Sequence, residues 1–532
     1  YIAENGLDIE LVNSAVNAFE FMLSEENFGY KPRGLYYGLK AMNSWLHRDN
    51  PFESFRFKKQ ISSIRSKVND GYFENLIING MINNKTAAYI SLQPKQGMQS
   101  EIDEAENKKL VSIKNSLSNT EREKIVNDTV NLLKFQSAYD DLSVMPSLKV
   151  SDISAKADII NNDIADGLFY VPGNTNDIIY VELLFSTNNI AENDYPYVGL
   201  LSDIIGRLDT EKYDFNELPT KIDLYTGGIT SSCSSYYTID GKVKKVLNVG
   251  VKALSRNTEM MKELIDQTTN KLKFEKTESI KLIIKDRILK LENYLNSNGH
   301  ITAANRALSY FNEGYSYKDK TSGIDYFKFL CCLEKNFNED TVKKLKNIAD
   351  IIFSKDNLTV GISCENSDFN KIKDIENVFD TKNIDYATDI IKKTGALSEG
   401  IITSSKIQYV AKAADYKMAG YNYSGKLMVL KNILDLEYLW NTVRVQGGAY
   451  GCGCNFLRSG GMYMYSYRDP NLRKTLNIYD AAGKFLDKFN ADEKSMTNYI
   501  IGAINNIDRP LNMEQKLKTA FARYITGISP EF

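Results

Sequence analysis

The chain has 532 residues, 43% hydrophobic and 25% charged, too long for one hydrophobic core and apolar enough for several. Its 66 Lys and Arg nearly balance 68 Asp and Glu, so no overall field draws in nucleic acid or an anionic membrane. Six cysteines, with Cys331 beside Cys332 and Cys452 close to Cys454, exclude a secreted disulfide framework and favour a reducing compartment. No apolar run reaches the roughly 18 residues of a membrane span.

Tyr1-Ile-Ala-Glu-Asn5 has no basic and apolar signal-peptide regions and no Met, so the chain is expected to open inside a longer protein. Residues 1–95 read as helices ending in a strand. Leu11, Val16, Phe19 and Met22 mark one apolar helical face, and Ala87-Ala-Tyr-Ile-Ser-Leu92 alternates like a strand before Pro94. The expectation is the C-terminal part of an α+β domain.

Residues 98–140 are charged and helical. Ser100 with Asp103, and Thr120 with Glu123, have capping-box spacing, which predicts an antiparallel helical hairpin acting as a linker. Residues 146–385 form a second α+β unit, with strands at 178–185, 231–239, 244–251 and 358–364 and helices at 256–273, 276–297 and 338–354. Residues 396–532 form a third, with strands near 406–413, 448–456 and 461–467 and helices around 426–443, 472–488 and 492–506. Each of these two units has a Gly-Gly leading into a strand, Gly227-Gly228 and Gly447-Gly448, which suggests duplicated domains. The fold class is therefore α+β: mostly antiparallel sheets packed with helices, joined by a helical-hairpin linker.

The only histidines, His47 and His300, are far apart, whereas zinc hydrolases need imidazoles clustered at helical spacing. No metal site is expected in this chain. Cys452 and Cys454 have no His or second Cys pair beside them and read as buried thiols, and His300 reads as structural.

Chemistry concentrates in Trp440-Asn-Thr-Val-Arg-Val-Gln-Gly-Gly-Ala-Tyr-Gly-Cys-Gly-Cys454 and Ser466-Tyr-Arg-Asp-Pro470. Tyr450, Cys452 and Cys454 would share one strand face; Ala449, Gly451 and Gly453 would share a bare face against which another backbone could lie. Arg444 and Tyr450 supply donors for peptide carbonyls and an oxyanion. The same two residues would equally suit a helix C-cap and a core filler. Arg468 suits an ion pair within the domain, and Asp469-Pro470 suits an N-cap with Pro at N1.

Arg444-Val-Gln-Gly-Gly-Ala-Tyr-Gly451 with Ser466-Tyr-Arg-Asp-Pro-Asn-Leu472 closely resembles the C-terminal half of presequence proteases, in the insulinase/pitrilysin superfamily. Phe28-Gly29, Pro32-Arg-Gly-Leu35, Asn50-Pro-Phe52, Pro146-Ser-Leu148, Asn176 to Glu182, Gly227-Gly-Ile229 and Gly299-His300 extend the likeness in order along nearly the whole chain. The resemblance implies a four-domain clamshell that degrades unstructured peptides, with zinc held by an H-x-x-E-H motif in a first domain that this chain lacks. Residues 1–95 would end domain two, 98–140 would be the hairpin, and 146–385 and 396–532 would be domains three and four.

The resemblance also implies roles for individual residues. Arg444 would bind the substrate main chain and Tyr450 would stabilise the oxyanion, with Gly447, Gly448, Ala449 and Arg468 contributing to substrate binding. The implied partners are the N-terminal zinc-binding half and unstructured peptides, in a bacterial cytoplasm or an organelle matrix, with this chain alone inactive. The competing expectation is a catalytically inactive peptide-binding or scaffold subunit of the same superfamily.

Overall fold

The computed structural model describes residues 5–25, 27–29, 31–47, 50–137, 148–154, 156, 159–382, 397–403 and 407–529. Residues 138–140 of the expected hairpin, Pro146-Ser147, and the expected boundaries at 146, 385 and 396 lie outside them. The chain divides into two compact units, Tyr1–Phe73 with Ile153–Phe532, and Glu74–Asp152.

Taken by itself, the unit Glu74–Asp152 is almost entirely helix and exposed chain. Two helices, Met98–Ser116 (α1) and Asn119–Ser137 (α2), are joined by Leu117-Ser118, and their described side chains are exposed. The caps differ from expectation. Gly97 opens α1 with φ 82°, leaving Ser100 inside the helix. At α2 the capping box is Ser118 with Glu121: the Glu121 N–H donates to Ser118 Oγ (3.3 Å) and the Ser118 N–H to Glu121 Oε2 (2.8 Å). The strand expected at 87–92 is not formed. Tyr89 is 94% exposed and Leu92 93%, because a strand needs a neighbour for its backbone groups and none of the described residues supplies one.

The larger unit holds two sheets. The first runs β1-β2-β6-β3-β5-β4 and is antiparallel except for the β2–β6 pair: Asp163–Ala165 (β1), Leu168–Pro172 (β2), Ile178–Ser186 (β3), Ile229–Tyr237 (β4), Val243–Leu254 (β5) and Leu358–Cys364 (β6). Strand β3 is central and, apart from Glu182, which Asn248 and Lys518 satisfy, apolar on both faces; every residue but the last is buried. Helices that include Tyr195–Ile204 (α3) bury Leu183, Phe185, Leu247 and Ile362 on one face. The other face is covered by Phe21 and by the C-terminal helix Met513–Thr526 (α7), whose Leu517, Phe521 and Ile525 pack on Phe169, Tyr180 and Leu184. An Asn512–Gln515 capping box starts α7 and Gly527, at φ 70°, ends it. Thus α7 follows the three-stranded sheet in sequence but packs on the six-stranded one.

The second sheet runs β7-β9-β8, all antiparallel: Gln408–Asp415 (β7), Gly451–Phe456 (β8) and Gly461–Asp469 (β9). Helix Gly299–Ser309 (α4), which precedes β7, packs on β7 and β9, and between β7 and β8 helix Lys426–Ile433 (α5) continues as a π-helix over Leu434–Val445. Helix Arg473–Asp480 (α6) follows β9. Leu434, Leu439, Val443, Cys454, Met464 and Tyr479 form the core beneath this sheet.

The two glycine corners share a local order. Each follows a helical segment and enters an edge strand that hairpins into its antiparallel neighbour, and the second glycine has positive φ: 107° at Gly228, 81° at Gly448. Only glycine adopts such angles without a Cβ penalty.

Candidate functional site around Arg444, Tyr450 and Arg468

The site is built at the end of the π-wound segment, where the chain turns into β8. The Gln446 N–H donates to the Asn441 carbonyl (3.0 Å), the five-residue spacing of a π-turn, and π-turns recur at functional sites. The segment delivers Trp440 and Arg444 to one side. The Arg444 guanidinium carbon lies 3.9 Å from the Trp440 ring centroid, a close cation–π stack.

The corner after it is fixed internally. Gly447 gives its carbonyl to Asn471 Nδ2 (2.6 Å), and Gly448 donates its N–H to the Arg444 carbonyl (2.8 Å). Ala449 donates to the Val443 carbonyl (3.2 Å) and buries its methyl in the core. The Gly447 carbonyl and the Gly448 and Ala449 N–H groups are thus committed to the corner, and the Ala449 side chain is buried.

Tyr450 lies just outside β8. It is 65% exposed, so the core-filling alternative is excluded, and its Oη bonds to no described group. Cys452 and Cys454 instead face the core, and burial pushes the Cys452 thiol up to about 11 and the Cys454 thiol higher still. The bare face at Gly453 does not receive a backbone. The Tyr465 hydroxyl fills it, 2.9 Å from where a Cβ would sit.

Facing Tyr450 is a β-bulge. Gln408 pairs with Asp469 and Val410 with Ser466, so Tyr467 and Arg468 together oppose Tyr409 alone. The Tyr450 N–H is shared between the carbonyls of Tyr467 (3.0 Å) and Arg468 (3.3 Å). Arg468 holds φ 50°, a left-handed conformation that costs a non-glycine residue about 1–2 kcal/mol. The bulge inverts the pleat. Met464 and Ser466 are buried, and regular alternation would bury Arg468 next; instead Arg468 is exposed and Asp469 is buried.

Two expectations fail here for that reason. Asp469 is not the N-cap of a helix at 470, since α6 begins at Arg473; its carboxylate accepts from the Asn471 N–H and Thr475 Oγ1 (both 2.8 Å). Arg468 makes no ion pair among the described residues, because its adjacent acid points inward. Its guanidinium carbon lies 5.8 Å from the Tyr450 ring and 5.3 Å from the Tyr467 ring. Arg444 likewise has no described carboxylate partner and lies 5.9 Å from the Tyr450 ring. Two cations and a phenol hydroxyl thus stand together without an acceptor among the described residues.

His300, at the start of α4, packs behind the bulge. Its ring packs on Tyr409, Tyr465 and Tyr467, and burial lowers its pKa. Sequence reasoning missed the bulge and the Trp440 stack. The i, i+4 spacing of Trp440 and Arg444 was an available signal for the stack. Among the described residues no group of three or more His, Cys, Asp and Glu could hold a metal ion, and no helix is long and apolar enough to cross a membrane.

Residues 92–333 match the family described as peptidase M16 (subfamily C) associated, and residues 398–531 match the PreP C-terminal domain. Protein HypA of Clostridium perfringens is 37% identical over 100% of this chain and 56% of its own length. Presequence protease 1, chloroplastic/mitochondrial, of Arabidopsis thaliana is 27% identical over 100% of this chain and 51% of its own. The mitochondrial presequence protease of Drosophila melanogaster is 25% identical over 95% and 50%. The chain spans about half the length of these curated relatives.

Proposed function

We propose, for a chain that belongs to the presequence-protease-like M16 family and matches its relatives' C-terminal half, that it is the substrate-gripping part of a peptide-degrading zinc metallopeptidase. The observation that carries this reading is a set of donors, half-buried Arg444 with exposed Tyr450 and Arg468, which have no acceptor among the described residues. In the proposal, Arg444 donates to main-chain carbonyls beside the scissile bond. Tyr450 Oη–H donates to the scissile carbonyl oxygen as it gains charge, where a donor is worth most. The Trp440 stack holds Arg444 in place, which saves ordering a flexible side chain on binding.

This chemistry selects unstructured peptides, since a folded protein's carbonyls are already hydrogen-bonded. The zinc that the family implies does not fit any described residues of this chain. It would be held by the N-terminal half of the complete protein, the proposed partner. In this arrangement residues 98–140 join the two halves around a peptide chamber, and residues 146–385 and 396–532 act as its third and fourth domains. Alone, the chain would not hydrolyse peptides.

The test joins this chain to the zinc-binding half, covalently or by co-expression, and follows cleavage of an unstructured peptide with and without a zinc chelator. Cleavage only by the combined, zinc-replete sample is expected. An assembly that binds zinc and peptide but never cleaves would overturn the proposal in favour of a binding scaffold.

A further inference from the structure

We infer that Arg468 makes this site selective for peptides that present a carboxylate next to the scissile bond, either an acidic side chain or the peptide's own C-terminus. The inference rests on the proposed role of the Arg444–Tyr450 site and adds a substrate class to it.

Three observations converge on Arg468. The first is backbone geometry: the bulge at Tyr467–Arg468 and the left-handed φ of 50° turn this side chain out of the sheet and towards Tyr450. A regular strand would avoid the strain and bury the residue. Bulges of this kind re-aim a side chain beside a functional site.

The second is charge. Several arginines elsewhere in this unit pair with acids: Arg65 with Glu20, Arg287 with Asp203, and Arg306 with Asp319 and Glu399. Neither guanidinium beside Tyr450 has such a partner among the described residues. Two acids of the same sheet and segment are already engaged: Asp469 accepts from Asn471 and Thr475, and Asp435 from the Cys454 N–H and Lys431.

The third is division of labour. Arg444 is flattened on Trp440, a pose suited to main-chain carbonyls running past it. Arg468 is exposed and touches only ring edges and faces, at 5.3 and 5.8 Å, so its five donors can form a bidentate pair with a carboxylate. Because the Tyr450 ring lies 5.9 Å from one cation and 5.8 Å from the other, a carboxylate held by Arg468 would sit within a residue or two of the bond being cut.

The experiment uses the complete protein and two matched pairs of unstructured peptides. One pair differs by Glu against Gln beside the cleavage site, and the other by a free against an amidated C-terminus. The readout is the ratio of kcat/KM within each pair. The wild type should favour the carboxylate about three- to tenfold in at least one pair, less at high salt. The pair that responds identifies the carboxylate's source.

Arg468→Gly should bring that ratio to about one, since glycine keeps the bulge and removes only the cation. Arg468→Lys should restore part of it. A wild-type ratio of one in both pairs, or a ratio unchanged in Arg468→Gly, overturns the inference. The underlying reading is judged separately: if Tyr450→Phe cleaves every peptide at the wild-type rate, the site itself has been misassigned.

Discussion

Replacing Tyr450 with Phe in the complete protein isolates one hydroxyl. The ring is 65% exposed, and its packing on Tyr467 (5.7 Å between centroids) and against both guanidiniums is available to Phe. The hydroxyl bonds to no described group, so its loss should change stability by no more than about 0.5 kcal/mol. An oxyanion donor contributes about 2.7–4 kcal/mol in the transition state alone, so kcat should fall about 10²–10³-fold while KM moves only a few-fold. The assay is steady-state cleavage of an unstructured fluorogenic peptide, with Tm measured on the same samples. Turnover within threefold of wild type at unchanged Tm would refute the role assigned to Tyr450. A large loss with a fallen Tm would instead mean that the ring packs the corner.

Three further outcomes follow from the same geometry. Trp440→Ala should raise KM about two- to fivefold with little change in kcat, the scale of a partly exposed cation–π contact of about 0.5–1 kcal/mol, and Trp440→Phe should recover part of it; an unaltered KM would show that Arg444 needs no such support. Gly447→Ala would drive a Cβ into the Val443 carbonyl, which a closed turn cannot move aside, so urea unfolding should show a loss of about 1–3 kcal/mol, and wild-type stability would mean the corner is looser than described. Alkylation of the native protein at pH 8, read by mass spectrometry, should label exposed Cys332 well before half-buried Cys452 or buried Cys454, whose thiols are raised to about 11 or above. Equal labelling rates would contradict the burial of β8.

Where pattern and local chemistry agree, the sequence alone was enough. The run Ile178 to Phe185 reads as a strand, and β3 is one. Positive φ at Gly228 and Gly448 follows from a corner that needs a residue without Cβ. The motif around Arg444 and Tyr450 identified the family. Tertiary structure decided the rest, because each remaining outcome depends on a partner distant in sequence. Residues 87–92 alternate like a strand yet have no described neighbour to pair with, so the pattern goes unused. Helix α7 follows the second sheet in the chain, but its apolar face fits the open side of the first. Arg468 sits in phase to be buried, and only the mismatch between β7 and β9 makes the bulge that exchanges it with Asp469, putting the acid inside, where it is satisfied, and leaving the cation free to face a ligand.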